Sequence, residues 1–327
     1  MLAYAANSGS RRGGGGPSSG PAARTKRRHP VSAPDPHEEL KAFQPTCRFF
    51  VGIDSDGCAF DTMEPKHKEC FCPVTIWKFD LAAVSKYARE AWDFVNLYSK
   101  ERGCNRFHAL QHVMNLLRER PEVIRRKVDI PLLRDLAAWT GRAKALGNPE
   151  LAAEVQRTGS AELGQVLDWS KSINEMVARI VKKVPPFPGV RESLELLAGK
   201  ADMIVVSATP GEALKREWQE HGIARFMSVI AGQEMGTKKD HLALAAGGKY
   251  PPERILMIGD APGDLKAAQA NKALFYPVNP GHEEECWDRF VREAGPKFLA
   301  GEYGRQYEAR LIAEFDKLLP DTPPWKH

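Results

Sequence analysis

The sequence predicts an α/β fold: a doubly wound parallel sheet with a long helical segment inserted after its first strand. Three observations predict it. Short, predominantly apolar runs recur at residues 49–53, 203–206, 227–231, 254–259 and 273–278. Such runs read as strands buried on both faces, the hallmark of parallel sheets. From the second run onward, short helical patterns alternate with the strands, which calls for right-handed crossovers within one sheet. Between the first run and the second, residues 81–183 carry only helical periodicity.

Residues 1–38 are rich in Gly, Pro, Ser, Ala and Arg. They bury too little apolar surface to offset chain entropy and read as a disordered basic tail. The apolar stretch at residues 2–6 is too short for a signal-peptide core, and the positive charges follow it. An acid-free leader with Arg and Ser weakly resembles an organelle transit peptide, and a polyanion-binding or merely solvated tail has the same composition. The first strand, residues 49–53, runs into Asp54-Ser55-Asp56-Gly57, where Asp and Gly favour a turn. Residues 61–73 read as a polar loop. His67, Cys70 and Cys72 lie in it, at a spacing that matches no zinc ligand pattern.

Helical stripes follow at 81–101 (Ala83, Val84, Tyr87, Ala88, Ala91, Trp92, Val95, Tyr98), 107–119, 149–157 and 161–183. Pro131 is expected to open a further helix, as proline suits a first turn. His108 and His112, four apart, read as one polar helix face. The prolines of Val184-Pro-Pro-Phe-Pro-Gly-Val end this block. A short helix at 191–197 leads to the strand that ends in Ser207. A helix at 212–221, the third strand, Lys238 and Lys239 ahead of a helix at 242–246, the fourth strand ending in Asp260, a helix at 265–270 and the fifth strand complete the alternation. Residues 282–318 suggest two helices packed back on the body, and residues from Pro320 onward read as a frayed end. The expected organisation is therefore a tail (1–38), a catalytic core (39–62 and 187–281), a helical cap (63–186) and a C-terminal helical extension (282–327).

Composition excludes several function classes. Hydrophobic residues make up 43% of the 327, enough for a packed core, and no apolar run approaches the length needed to span a bilayer. Arg11, Arg12, Arg24, Lys26, Arg27 and Arg28 contribute +6 against a net charge of +5, so the body, at −1, is near neutral and no broad nucleic-acid-binding face is indicated. Six cysteines in a chain this long suggest a reduced, cytoplasmic protein rather than a disulfide scaffold. A monomer or homodimer is expected.

Four strand ends carry chemistry-bearing side chains: Asp54 and Asp56, Ser207, Lys238 or Lys239, and Asp260 with Asp264. In a doubly wound sheet these ends share one edge, where ligands bind. Carboxylates converging there suit Mg²⁺, and a lysine with a hydroxyl suits a phosphoryl group.

These residues resemble the motifs of the haloacid dehalogenase-like hydrolase superfamily. Gly-Ile-Asp54-Ser-Asp56-Gly-Cys-Ala-Phe-Asp61 is similar to its first motif, Val-Val-Ser207-Ala to the second, Lys238 before a helix to the third, and Met-Ile-Gly-Asp260-Ala-Pro-Gly-Asp264 to the fourth. The resemblance covers residues 48–62 and about 187–280, with the insertion where many members carry a helical cap. It implies a Rossmannoid core and a Mg²⁺-dependent phosphatase acting on a small phosphorylated metabolite. Asp54 is then the nucleophile that becomes an aspartyl-phosphate, and Asp56 the general acid and base. Mg²⁺ lies on Asp54, the Asp56 backbone carbonyl and Asp260. Ser207 and the Ala208 amide hold the phosphate, Lys238 neutralises charge (Lys239 being the alternative by one residue), and Asp264 orients the lysine or a metal-bound water. The acid at Asp56 favours a phosphate ester over carbon–halogen or carbon–phosphorus cleavage. Cys58 stands where threonine is common, and Lys239 where proline is. A phosphomutase of the same fold and a non-catalytic phosphometabolite-binding protein are the alternatives. Lys66, Lys68 and Arg106 are the charge candidates for substrate contact.

Overall fold

The computed structural model describes residues 35–326. The tail expected over residues 1–38 thus lies outside the described residues as far as position 34, and Glu38–Ala42 is a short helix. The strands are β1 Phe49–Ile53, β2 Ala201–Val206, β3 Val229–Ala231, β4 Ile255–Gly259 and β5 Leu274–Pro277. They form one sheet, parallel throughout, in the order β3-β2-β1-β4-β5.

Each strand alternates its side chains between two cores, which is why nearly every position is apolar, Asp202 of β2 being the exception. Phe49, Val51, Ile53, Met203, Val205, Leu256 and Ile258 join Trp218, Trp287 and Phe290 on one face. Phe50, Ile204, Val206, Ile255, Met257 and Phe275 join Leu242, Ala245 and Phe315 on the other. From β1 the chain steps outward through β2 to β3, then returns to place β4 on the far side of β1. That reversal opens the crevice between the C-terminal ends of β1 and β4, the ligand position of open α/β sheets. Register sets Ile53 opposite both Val205 and Ile258, so the residues that follow leave at one edge.

Residues between β1 and β2 build a helical insertion with an apolar core of its own. Trp92 and Trp169 meet edge to face at 6.4 Å, Phe107 and Trp139 at 5.2 Å. Several expectations are corrected here. The polar loop expected at 61–73 is helical: Met63–Pro65 continues into a π-helical turn, Lys66–Phe71, and the helix Cys72–Lys78. Tertiary ties hold it, since Cys70, Phe71 and Cys72 are buried in the insertion core. The stripe at 81–101 is a 3₁₀ turn, Ala82–Val84, and a helix ending at Leu97. Pro131 does not open a helix; Leu133 is left-handed at φ +50 and the helix is Arg134–Thr140, with the Leu136 amide donating to Glu162 Oε1 at 2.9 Å. The C-terminal region is three helical pieces joined by a π turn and a loop rather than two helices.

Nor is the segment after Pro320 frayed. Trp325 stacks on the Arg120 guanidinium at 4.4 Å and meets Phe94 edge to face at 5.8 Å. Lys326 pairs with Glu119 at 2.6 Å. Among the described residues no helix is long and apolar enough to cross a membrane.

Candidate active site

Asp54 follows β1 directly. Its amide extends the ladder to Ile258 O at 2.9 Å, and its carboxylate is buried. Oδ1 accepts from the Ser55 amide at 2.8 Å and Oδ2 from Lys238 Nζ at 2.7 Å. Lys238 also donates to Asp264 Oδ1 at 2.6 Å, so it bridges the two carboxylates. Its position comes from a local device. Thr237 caps the helix Lys238–Ala246 in a reciprocal capping box with Asp240, and this starts the helix at Lys238, four residues before the expected 242. Lys239, the alternative, is exposed.

Asp260 and Asp264 come from the end of β4 and the helix Pro262–Ala270. Asp264 accepts from the Ala261 amide at 3.1 Å, capping its own helix. Gly259 permits this approach, because a Cβ there would lie 2.4 Å from Asp264 Cβ. Oxygens of Asp54, Asp260 and Asp264 lie within 4.8 Å of one another. Burial pushes Asp54 up to about 7, with Asp260 and Asp56 adding to it and Lys238 opposing. Burial likewise pushes Asp264 to about 6 and raises Asp260. Burial disfavours charge on Lys238, but Asp264 and Asp54 outweigh it and hold its ammonium well above the usual range. The carboxylates are thus short of positive charge. Asp260 Oδ1 is buried without a hydrogen-bond partner among the described residues. A buried carboxylate oxygen needs one, so the donor set fits a hard divalent cation such as Mg²⁺.

Asp56 is gripped from several sides. Thr209 Oγ1 donates to its Oδ2 at 2.6 Å, and Thr62 Oγ1 and Lys66 Nζ both donate to Oδ1. Burial alone would raise its carboxyl, but Lys66 and the two threonines outweigh burial and bring it down to about 2. Ser207 is buried beside this group, its Oγ accepting from the Thr209 amide at 3.2 Å. Ala208 is exposed, and its amide donates to no group among the described residues.

Arg102 is the residue that sequence reasoning missed. It comes from the insertion, is 4% exposed, and its Nε donates to Asp260 Oδ2 at 2.7 Å and to the Asp260 carbonyl at 3.1 Å. Nη2 pairs with Oδ2 at 2.7 Å, and Nη1 donates to Leu97 O at 2.9 Å. Gly57, at φ +75, makes room: a Cβ there would lie 2.6 Å from Arg102 Nη2 and 2.7 Å from Asp260 Oδ2. Thr62 and Thr209 were also missed. Of these, Thr209 alone carried a signal, a second hydroxyl just past the strand end.

The sheet edge thus gathers Asp54, Asp56, Ser207, Lys238, Asp260 and Asp264. A carboxylate next to a lysine, an exposed amide and a cation-seeking pair can receive a tetrahedral oxyanion. A family model, "haloacid dehalogenase-like hydrolase", matches residues 142–276, which takes in the second to fourth motifs. No curated protein matches the chain. Solved structures resemble it at low identity. A haloacid dehalogenase-like family hydrolase from Streptococcus pneumoniae is 13% identical, over 73% of this chain and 90% of that one, with a TM-score of 0.40. One from Xanthomonas campestris is 12% identical, over 78% and 97%, at 0.37. A provisionally assigned phosphoglycolate phosphatase from Lactobacillus delbrueckii subsp. bulgaricus is 15% identical, over 72% and 87%, at 0.43. In its four motifs, its parallel sheet and the family match over residues 142–276, the chain is similar to the haloacid dehalogenase-like hydrolases.

Proposed function

We propose that the protein is a Mg²⁺-dependent phosphohydrolase that cleaves a phosphate monoester of a small metabolite through an aspartyl-phosphate on Asp54. The observation that carries this reading is the bridge of Lys238 between Asp54 and Asp264 beside the orphaned Asp260 oxygen. Asp54, the Asp56 carbonyl and Asp260 would hold the cation, which supplies neutralisation between an anionic nucleophile and an anionic phosphoryl group.

The chain's own residues do the rest. Ser207 Oγ, the Ala208 amide and Lys238 Nζ take the phosphoryl oxygens. An Asp54 oxygen attacks phosphorus and the ester oxygen leaves, taking a proton from Asp56. Asp56, now ionised, accepts a proton from water as that water attacks phosphorus, and the bond to Asp54 breaks. Asp56 as seen here is in its base form, paired with Lys66. For it to donate a proton, Lys66 and Thr62 must exchange partners. Both stand where the chain leaves the core for the insertion, so movement of the insertion sets which form Asp56 takes.

The test is phosphate release from a panel of phosphorylated metabolites, with Mg²⁺ or EDTA, for wild type beside Asp54→Asn. We expect Mg²⁺-dependent turnover that falls by at least about 10³-fold in the variant, the scale of losing a covalent nucleophile. Folded proteins with no turnover on any ester would sink the reading.

A further inference from the structure

We propose that Arg102 couples the insertion to the metal site: a divalent cation on Asp260 loosens the insertion, and an insertion docked through Arg102 weakens the hold on the cation. The inference rests on the Mg²⁺ assignment of the hydrolase reading above and adds a link between that ion and the position of the insertion.

Arg102 lies in the turn between the helix that ends at Leu97 and the helix Arg106–Glu119. The turn is stiff. The Arg102 amide donates to Ser99 O at 3.0 Å and the Cys104 amide to Glu101 O at 2.9 Å. The buried Ser99 hydroxyl donates to Val95 O at 3.2 Å and accepts from the Glu101 amide at 3.1 Å. Arg102 Nη1 is tied back to Leu97 O, while Nε and Nη2 reach Asp260. One guanidinium thus joins the insertion to the end of β4. Gly103, at φ +75, brings the backbone of the turn against the next residue: a Cβ there would lie 2.9 Å from Ala261 Cβ. A second cation of the insertion, Lys66, rests on Asp56 in the same way.

The guanidinium uses Oδ2 and the carbonyl of Asp260, and Oδ1 has no partner among the described residues. A cation can therefore share this carboxylate with Arg102. Sharing has two opposed effects. A hydrogen-bonded partner orients a metal-binding carboxylate, which tightens the site. A positive partner also repels the ion. Arg102 and Asp260 are both buried, so little water screens that repulsion. A guanidinium cannot escape it by losing a proton. Repulsion wins because the partner is a full cation rather than a neutral donor. By linkage, the factor by which Arg102 weakens the ion is the factor by which the ion weakens the docking of Arg102.

The test uses the full chain, with Mn²⁺ as the probe and its free-ion paramagnetic resonance signal giving Kd. Arg102→Met should bind Mn²⁺ about 10- to 100-fold more tightly than wild type, within the usual range of coupling between sites. Arg102→Lys keeps the charge and should stay near wild type. Amide exchange gives an arm that needs no variant: saturating Mg²⁺ should speed exchange at residues 99–106 of wild type and leave β1 and β4 unchanged. Equal or weaker binding by Arg102→Met, a tightening in Arg102→Lys as large as in Arg102→Met, or unchanged or slower exchange at 99–106 would overturn the coupling. Phosphate release is read separately. Coupling without turnover of any ester would keep this inference and overturn the hydrolase reading, and turnover without coupling would do the reverse. Absence of Mn²⁺ binding to both wild type and Arg102→Met would overturn the coupling and the Mg²⁺ assignment together.

Discussion

Asp260 shows how one side chain can answer to two parts of the chain at once. Arg102 occupies its Oδ2 and its carbonyl, while Oδ1 is left without a partner. Removing one member of a buried ion pair leaves the other uncompensated, which typically costs about 3–5 kcal/mol. Arg102→Met should therefore lower stability by that order, read by urea unfolding without metal. On the proposed reading the guanidinium and Mg²⁺ would neutralise the same carboxylate, so Mg²⁺ should raise the melting temperature more in Arg102→Met than in wild type. An equal or smaller shift would show that the cation does not use Asp260. None of this was legible in the sequence. Asp54, Asp56, Ser207 and Asp260 announce themselves because a polar residue ends an apolar run. Arg102 sits in a helix junction with no pattern around it, and its partner lies 158 positions away.

Among the elements, β2 carries a polar exception at its second position. Asp202 is buried and accepts from the Thr46 and Cys47 amides at 2.9 and 2.7 Å, and from Thr46 Oγ1 and the Tyr250 hydroxyl, each at 2.5 Å. It fastens the approach to β1 onto its neighbour at the sheet edge opposite the site. Burial raises its carboxyl, but these four donors outweigh burial and hold it below the usual carboxylate range. Its folded pKa is depressed, so its stabilisation is present above the unfolded value near 4 and is lost as pH falls through the lower folded value. Asp202→Ala should cost about 1–3 kcal/mol at pH 7 through unsatisfied donors. That gap should narrow by pH 3, as compared by denaturant titration at both values. A gap that stays constant would place the effect in packing alone.

The strands were legible because burial on both faces forces an unbroken apolar run. Residues 61–73 were not. Their types are polar, and their helicity depends on distant partners such as Trp92 for His67 and Asp56 for Lys66.

At the scale of the whole molecule, the parallel sheet followed from strand–helix alternation, and the meeting of the chemistry-bearing residues at one edge from the strand ends; the strand order came only with the structure. The path of the C-terminus did not, because its contacts are long-range. Helix Arg305–Leu318 packs on β5, with Phe315 and Phe275 at 6.1 Å. The chain then crosses to the insertion, where Lys100 pairs with Asp316 at 3.3 Å and Asp321 at 3.5 Å, and Trp325 covers Arg120. Ending the chain after Leu319 should destabilise the insertion by about 1–3 kcal/mol, the scale of an aromatic and a cation–π contact. Amide exchange should speed up at residues 87–97 and 117–126 and stay unchanged in β1 and β4. Uniform acceleration across the molecule would mean that the segment supports the fold as a whole.

The crossing has a mechanical consequence. A body hung from two adjacent strands keeps one easy rotation, about the line through its tethers. Trp325 supplies a third point, away from that line, and a body pinned at three such points has no free rotation left. Any swing of the insertion must unseat this indole ring along with the Arg102–Asp260 and Lys100–Asp316 pairs, so the last residues of the chain share in braking that motion.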